Sequence, residues 1–376
     1  MKIGILTHRL GTNYGGVLQN FALQEVLRNL GHDPITLNHN PKSGYPWYIK
    51  IASVCIRIIR KLKGDKVALK AWATKEEQKQ ISKFTDIFIS KYIKTTEPFR
   101  LSEIDRFKYS FDAIFVGSDQ VWNPHYMKPI ERFFLSDFTD VNVIKIAYAA
   151  SFGGESWMFS NKETVRCKEL VKRFKAVSVR ENTGIDMCNK YLNCKAEFVL
   201  DPTLLVPVEC YIKLIQKSNL SPLTDKTMMT YVLDKSKEKQ VIVQRLSDKL
   251  SLNINSVIPQ KCIWEAGKNS IEDCVFPPVE EWLRGVKDAD FVVTDSFHGT
   301  VFSLIFNKPF VTILNKNRGA DRFTSLLGYL DLMDRLVTTV GEAETVINKP
   351  INYSLINDKL NALRESSINF IQCNLE

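Results

Sequence analysis

Short apolar runs alternate with stretches whose apolar positions recur at helical spacing, and the alternation continues along most of the chain. Lys2–Thr7 predicts a strand. Val17–Asn29 predicts an amphipathic helix, with Val17, Phe21, Leu23, Leu27 and the following Leu30 apolar and Gly31 as its stop. Further strands are predicted at Pro34–Leu37, Ala113–Val116, Ile144–Ala149, Ala176–Ser178 and Phe198–Leu200. After Pro222 the pattern restarts, with a strand at Thr227–Leu233, a helix near Lys237–Leu250 and a strand at Ile254–Ile258. Asp290–Phe310 then reads as strand, polar turn, helix and the start of another strand. Ser354–Gln372 predicts a last helix, with Leu355, Leu360, Leu363, Ile368 and Ile371 apolar. Alternating strands and helices imply mostly parallel sheets covered on both faces. The polar, turn-rich segment 217–226 divides the pattern. The expected domains are therefore 1–216, with an insertion at about 45–101, and 227–350, followed by a C-terminal helix over 351–376.

A chain of 376 residues is long enough for two full cores, and 44% hydrophobic with 25% charged residues excludes a disordered chain. No run of about 18 apolar residues predicts a membrane span. Met1–Leu6 passes straight into a strand-like run, so no export signal is expected and the chain reads as cytoplasmic. The eight cysteines form no CxxC pair and no zinc-finger spacing, so no metal site is expected and they read as small apolar fillers. The net charge of +9 points to an anionic partner. Without a nucleic-acid-binding motif, a phosphorylated substrate or anionic lipid is favoured over nucleic acid.

Ligands of open α/β sheets sit at the carboxyl ends of the strands. The residues following the predicted strands are His8–Gly16, Gly117–Asn123, Ala150–Ser156, Val179–Asn182 and Asp295–Gly299. In the last of these, His298 falls where a helix begins. Asp295 or Ser296 is expected to cap that helix, and Gly299 to clear side-chain bulk where a ligand approaches. A helix N-terminus attracts phosphate or carboxylate. An imidazole beside it points to acid–base chemistry on a phosphorylated substrate, against the alternative of a plain polar cap. Asn13, Tyr14 and Gln19 either bind sugar hydroxyls or form a helix entry. Asp119 and Gln120 either orient an acceptor or cap a helix, and capping is favoured. Arg318 and Arg322 reach a donor phosphate or are ordinary surface arginines. Glu181 either positions Arg180 or is solvated, and His8 reads as a hydrogen-bonded structural histidine in preference to a second acid–base group.

Taken in order, THRLGTNYGGVLQNFALQEVL, FVGSDQVWN, AYAASFG, VSVREN, FVLDPT and TDSFHGTVFSLIFNKPF resemble the polysaccharide pyruvyl transferase family, over about residues 3–328. The resemblance implies two Rossmann-like domains facing a cleft, similar to B-type glycosyltransferases. It implies transfer of a pyruvyl unit from phosphoenolpyruvate to a sugar of a cell-surface polysaccharide precursor, forming a ketal without a metal or other cofactor. It carries the functional His and Arg of the family onto His298 and Arg180, the latter expected to fork onto substrate anions. It also implies a saccharide acceptor built on a lipid carrier at the inner face of the membrane. The alternatives are a B-type glycosyltransferase using a nucleotide sugar and a non-catalytic saccharide-binding protein.

Within the insertion, Ile51, Val54, Cys55, Ile58, Ile59 and Leu62 share one helix face, while Arg57, Arg60, Lys61 and Lys63 fall largely elsewhere. Trp47 and Tyr48 at one end, Trp72 beyond the other, and Lys50, Lys66 and Lys70 flank it. This composition suits an interfacial helix on an anionic bilayer. A helix packed on the domain with a solvated basic face is the slightly favoured alternative.

Overall fold

A computed structural model describes residues 1–40, 47–62, 72–139, 141–218, 220–223, 226–234, 236–266, 270–314 and 319–376. Its strands are β1 (Lys2–Leu6), β2 (Asp33–Thr36), β3 (His39–Asn40), β4 (Phe99–Arg100), β5 (Ala113–Asp119), β6 (Ile144–Ala150), β7 (Ala176–Val179), β8 (Glu197–Phe198), β9 (Thr227–Tyr231), β10 (Asn253–Ser256), β11 (Phe291–Thr294), β12 (Phe310–Ile313) and β13 (Leu336–Val337). They form a six-stranded sheet ordered β2-β1-β5-β6-β7-β8, a five-stranded sheet ordered β10-β9-β11-β12-β13, and the small pair β3-β4. The pairings are parallel. The central strands β5, β11 and β12 are buried along their whole length, as both faces are covered by helices. The chain passes from the first sheet to the second between Phe198 and Thr227. The two-residue strands β3, β4 and β13 have no counterpart in the sequence reading, because two residues cannot display a period.

The first helix, Tyr14–Asn29, starts three residues before the predicted Val17. Tyr14 is fully buried; its hydroxyl donates to the Pro277 carbonyl at 2.7 Å and its ring stacks on Trp282. Tyr14 is thus a link between the domains and does not bind a sugar. Gln19 is buried as well, donating to Thr7 Oγ1 and to the Gly16 carbonyl. The last helix, Tyr353–Leu375, packs back onto the first domain, where Leu200 N donates to Ser367 Oγ and Phe370 lies on Tyr148. Leu355, placed on its apolar side by periodicity, is exposed.

The basic helix forms over Trp47–Leu62, and next to it Thr74 and Glu77 make a capping box that starts the helix Lys75–Tyr92. The second of these helices is packed, with Ile81 and Phe88 buried. The first is not: Ile51 is 54% exposed, Ile58 43% and Ile59 54%. The favoured reading of a helix with its apolar face packed on the domain is therefore corrected. Lys63, Lys66 and Lys70 lie outside the described residues. Among the described residues no helix is long and apolar enough to cross a membrane.

Candidate active site

The carboxyl ends of both sheets face one cleft of about 1150 Å³. The first domain lines it with His8, Arg9 and Asn13 after β1, and with Asp119, Gln120 and Asn123 at the end of β5. The second lines it with Leu233 after β9, Asp295, Ser296, Phe297 and His298 after β11, and Arg322. Four of the five histidines, His8, His39, His125 and His298, are on its walls.

His298 is the second residue of the helix Phe297–Ile305. The expected side-chain cap is absent: Ser296 occupies the N-cap position with no side-chain hydrogen bond. Asp295 instead accepts from Leu233 N at 2.7 Å, Asp234 N at 3.1 Å and Lys239 Nζ at 2.6 Å, tying the loops after β9 and β11 together. The helix N-terminus is left facing the cleft with its partial positive charge. Gly299 does not face a ligand. A Cβ there would lie 2.1 Å from Thr294 Oγ1, so this glycine lets the helix sit against its own strand.

Two residues missed from the sequence hold His298. A Cβ on Gly15 would lie 2.1 Å from His298 Nδ1, so the glycine makes the imidazole's seat. Asp201 Oδ2 lies 3.6 Å from His298 Nε2, an ion-pair separation beyond hydrogen-bond reach. That Nε2 is buried without a hydrogen-bond partner. Burial would raise the Asp201 carboxyl, but His298, Arg180 and Thr203 hold it down at about 2. The signals were the paired glycines opening the first helix and the acidic residue of FVLDPT. Gly15→Ala should displace the imidazole and lower turnover about as far as loss of His298 itself, roughly 10²-fold or more. Wild-type turnover by that variant, or a crystal structure of it with the ring unmoved, would contradict this.

Arg180 does not line the cleft. It is 2% exposed, and its guanidinium donates to Asp119 at 2.7 Å, Glu181 at 3.1 Å and Asp201 at 3.1 Å. It also lies over the Phe297 ring, with 4.8 Å to the centroid. The expected fork onto a substrate anion is therefore replaced by a fork onto three protein carboxylates. Burial opposes its charge, but those carboxylates outweigh it and raise its pKa. In return, and against burial, Arg180 with His8, His298 and Arg322 depresses Asp119 far below the usual carboxylate range. Glu181 is raised, because burial outweighs its neighbours. Its role is settled as a partner of Arg180, not a solvated residue.

Asp119 caps no helix; it is held by Arg180. Gln120 accepts from Asn123 Nδ2 at 3.0 Å, on the cleft wall. Asn13 is exposed there at the N-cap position of the first helix, without a side-chain cap bond. Arg322 lines the cleft, in the segment anchored where Gly319 approaches the Gly153 carbonyl too closely for a Cβ. Arg318 lies outside the described residues. His8 is on the cleft wall with Nε2 buried and unpartnered, and burial lowers its pKa. The lining carboxylates Asp119 and Asp295 are paired to Arg180 and Lys239. Five basic residues, Arg9, Arg100, Lys128, Arg132 and Arg322, line the cleft against these two acidic ones, so its lining is basic, although Arg132 is itself paired to Asp137. Such a cleft suits a multiply anionic small molecule, and its imidazoles suit proton transfer.

A family model described as polysaccharide pyruvyl transferase matches residues 13–317. Among solved structures, the S. aureus MnaA–UDP co-structure superposes with a TM-score of 0.53 at 13% identity, covering 100% of this chain and 96% of that one. The trehalose-6-phosphate phosphatase N-terminal domain from Candida albicans does so with a TM-score of 0.51 at 11% identity, covering 100% and 96%. At these identities the likeness is one of fold, two α/β domains about a cleft as in B-type glycosyltransferases and epimerases. No curated protein matches the sequence significantly.

Proposed function

The chain belongs to the polysaccharide pyruvyl transferase family, and we propose that it transfers the pyruvyl unit of phosphoenolpyruvate to a saccharide of a cell-surface polysaccharide, closing a ketal across two hydroxyls. The observation that carries this reading is His298: a buried imidazole with an unpartnered Nε2, at a helix N-terminus in a basic cleft. Phosphoenolpyruvate supplies a phosphate and a carboxylate for the helix terminus and the cleft's cations. Protonated His298 then delivers a proton to the methylene carbon, with the Asp201 carboxylate 3.6 Å from its Nε2. Arg180 acts from below, holding Asp119 and Asp201 ionised and in place. Asn13, Gln120, Asn123 and Ser296 offer amides and a hydroxyl to the acceptor. A cavity of about 1150 Å³ has room for a saccharide beside the donor. The chemistry calls on no metal and no other cofactor. Calorimetric titration should give millimolar or tighter binding of phosphoenolpyruvate. No binding of it, with clear binding of a nucleotide sugar, would favour a B-type glycosyltransferase instead.

On the same reading the protein works in the cytoplasm on a lipid-linked acceptor, and the exposed helix Trp47–Leu62 rests on an anionic bilayer. Ile51, Ile58 and Ile59 of its apolar face are exposed, and it carries Arg57, Arg60 and Lys61 with no acidic residue. The wild type should co-sediment with anionic vesicles and not with neutral ones. Each basic side chain near such a surface contributes about 1 kcal/mol. Replacing Arg57, Arg60, Lys61 and Lys63 by glutamine should release the protein at physiological salt while sparing activity on a lipid-free acceptor. A wild type that never sediments would end the membrane reading.

A further inference from the structure

On the pyruvyl-transfer reading, on which this rests, we infer that His8 is a second catalytic residue, the base that deprotonates the first attacking sugar hydroxyl opposite the acid His298. The two imidazoles come from different sheets, His8 following β1 and His298 following β11, yet both line the one cleft. Each has a buried Nε2 without a hydrogen-bond partner. Buried polar atoms are almost always satisfied, so two open imidazole nitrogens on one cleft mark where substrate atoms belong. The other polar contact of the His8 ring is the backbone of Gln120, and Nε2 is the ring nitrogen without a hydrogen-bond partner.

The surroundings of the two rings differ. His298 has the Asp201 carboxylate 3.6 Å from its Nε2. The groups facing His8 are Asp119 at the end of β5, Arg180 after β7, and His39 and Arg9 beside it. Burial, with the help of Arg180, lowers its pKa, while Asp119 only partly opposes them. The neutral form, the one able to accept a proton, is therefore present at physiological pH and for some way below it.

The cycle closes with this pair. The first hydroxyl oxygen bonds to the central carbon of the donor and gives its proton to His8, while the double-bond electrons take a proton from His298 to make the methyl group. The second hydroxyl oxygen then bonds to the same carbon, and the bond from that carbon to the phosphate oxygen breaks. Its proton recharges His298, and His8 gives up its proton to the departing phosphate. The sum is diol and phosphoenolpyruvate going to ketal and hydrogen phosphate, with both imidazoles restored.

The test uses the full chain, phosphoenolpyruvate and a panel of p-nitrophenyl galactoside, glucoside and N-acetylmannosaminide. His8→Gln should lower kcat by roughly 10²–10³-fold with little change in KM for phosphoenolpyruvate. The acid-side limb of the wild-type kcat/KM profile should vanish in His8→Gln, and added imidazole should restore turnover to His8→Ala. In the wild type, phosphoenolpyruvate with the active glycoside should protect His8 from diethyl pyrocarbonate, a readout that needs no variant to fold. A folded His8→Gln with wild-type kcat and an intact acid limb, or an unprotected His8, would overturn the inference. No phosphate release by the wild type with any of these glycosides or with any lipid-linked saccharide would overturn the transferase reading itself, and this pair with it.

Discussion

Replacing His298 with alanine should lower turnover by roughly 10²–10⁴-fold, the usual size of a general acid–base contribution. The fold should survive, since the ring occupies a seat left open by Gly15 and its Nε2 has no hydrogen bond to lose. Donor affinity should change little, because the helix terminus and the cations of the cleft remain. The loss therefore falls on kcat and kcat/KM together, the pattern of an interaction made in the transition state. Removing His298 also removes a stabilising neighbour of Asp201, so the carboxyl should titrate higher in the variant than the value of about 2 it has beside the imidazole. A folded variant with near-normal turnover would take His298 out of the chemistry.

The second large effect is on stability. Arg180→Met should cost about 3–5 kcal/mol, because removing one partner strands buried charges. Here three carboxylates, Asp119, Glu181 and Asp201, lose their common cation. The pH dependence follows from the signs. In the wild type Asp119 and Asp201 titrate low, so their contribution is present above the unfolded carboxylate range and fades as pH falls through their folded values. In the variant the unpaired carboxyls titrate high, so their penalty is greatest at neutral pH and fades on acidification. The gap between the two unfolding temperatures should narrow as pH falls. A variant of normal stability whose only defect is a raised KM for phosphoenolpyruvate would restore Arg180 as a substrate-binding fork.

These two residues mark what the sequence makes legible and what it does not. The apolar runs of β1, β5, β6, β9 and β11 are long enough to show themselves, and the rule that ligands sit at their carboxyl ends finds His298, Asp119, Gln120 and Asn13 on the cleft. The chemistry of Arg180 says that it wants planar anions, but not whose. Its partners Asp119 and Asp201 come from distant points of the chain, and only the sheet order brings them together. The same holds for the contact between His298 and Gly15, which joins two domains. Tyr14 and Gly299 were misjudged for the converse reason. A tyrosine beside a glycine pair and a glycine beside a histidine look like site residues, and only packing against Trp282 and Thr294 shows them to be structural. The open apolar face of Trp47–Leu62 was legible as a face, but whether the domain covers it is a tertiary fact.

The most direct test of the central claim is a mass balance. Purified full-length protein, phosphoenolpyruvate and a panel of lipid-linked and lipid-free saccharides should yield one inorganic phosphate for each acceptor that gains a pyruvate ketal, identified by mass and by its new methyl resonance. Phosphoenolpyruvate left intact with every acceptor, while a nucleotide sugar is consumed in the same cleft, would contradict it.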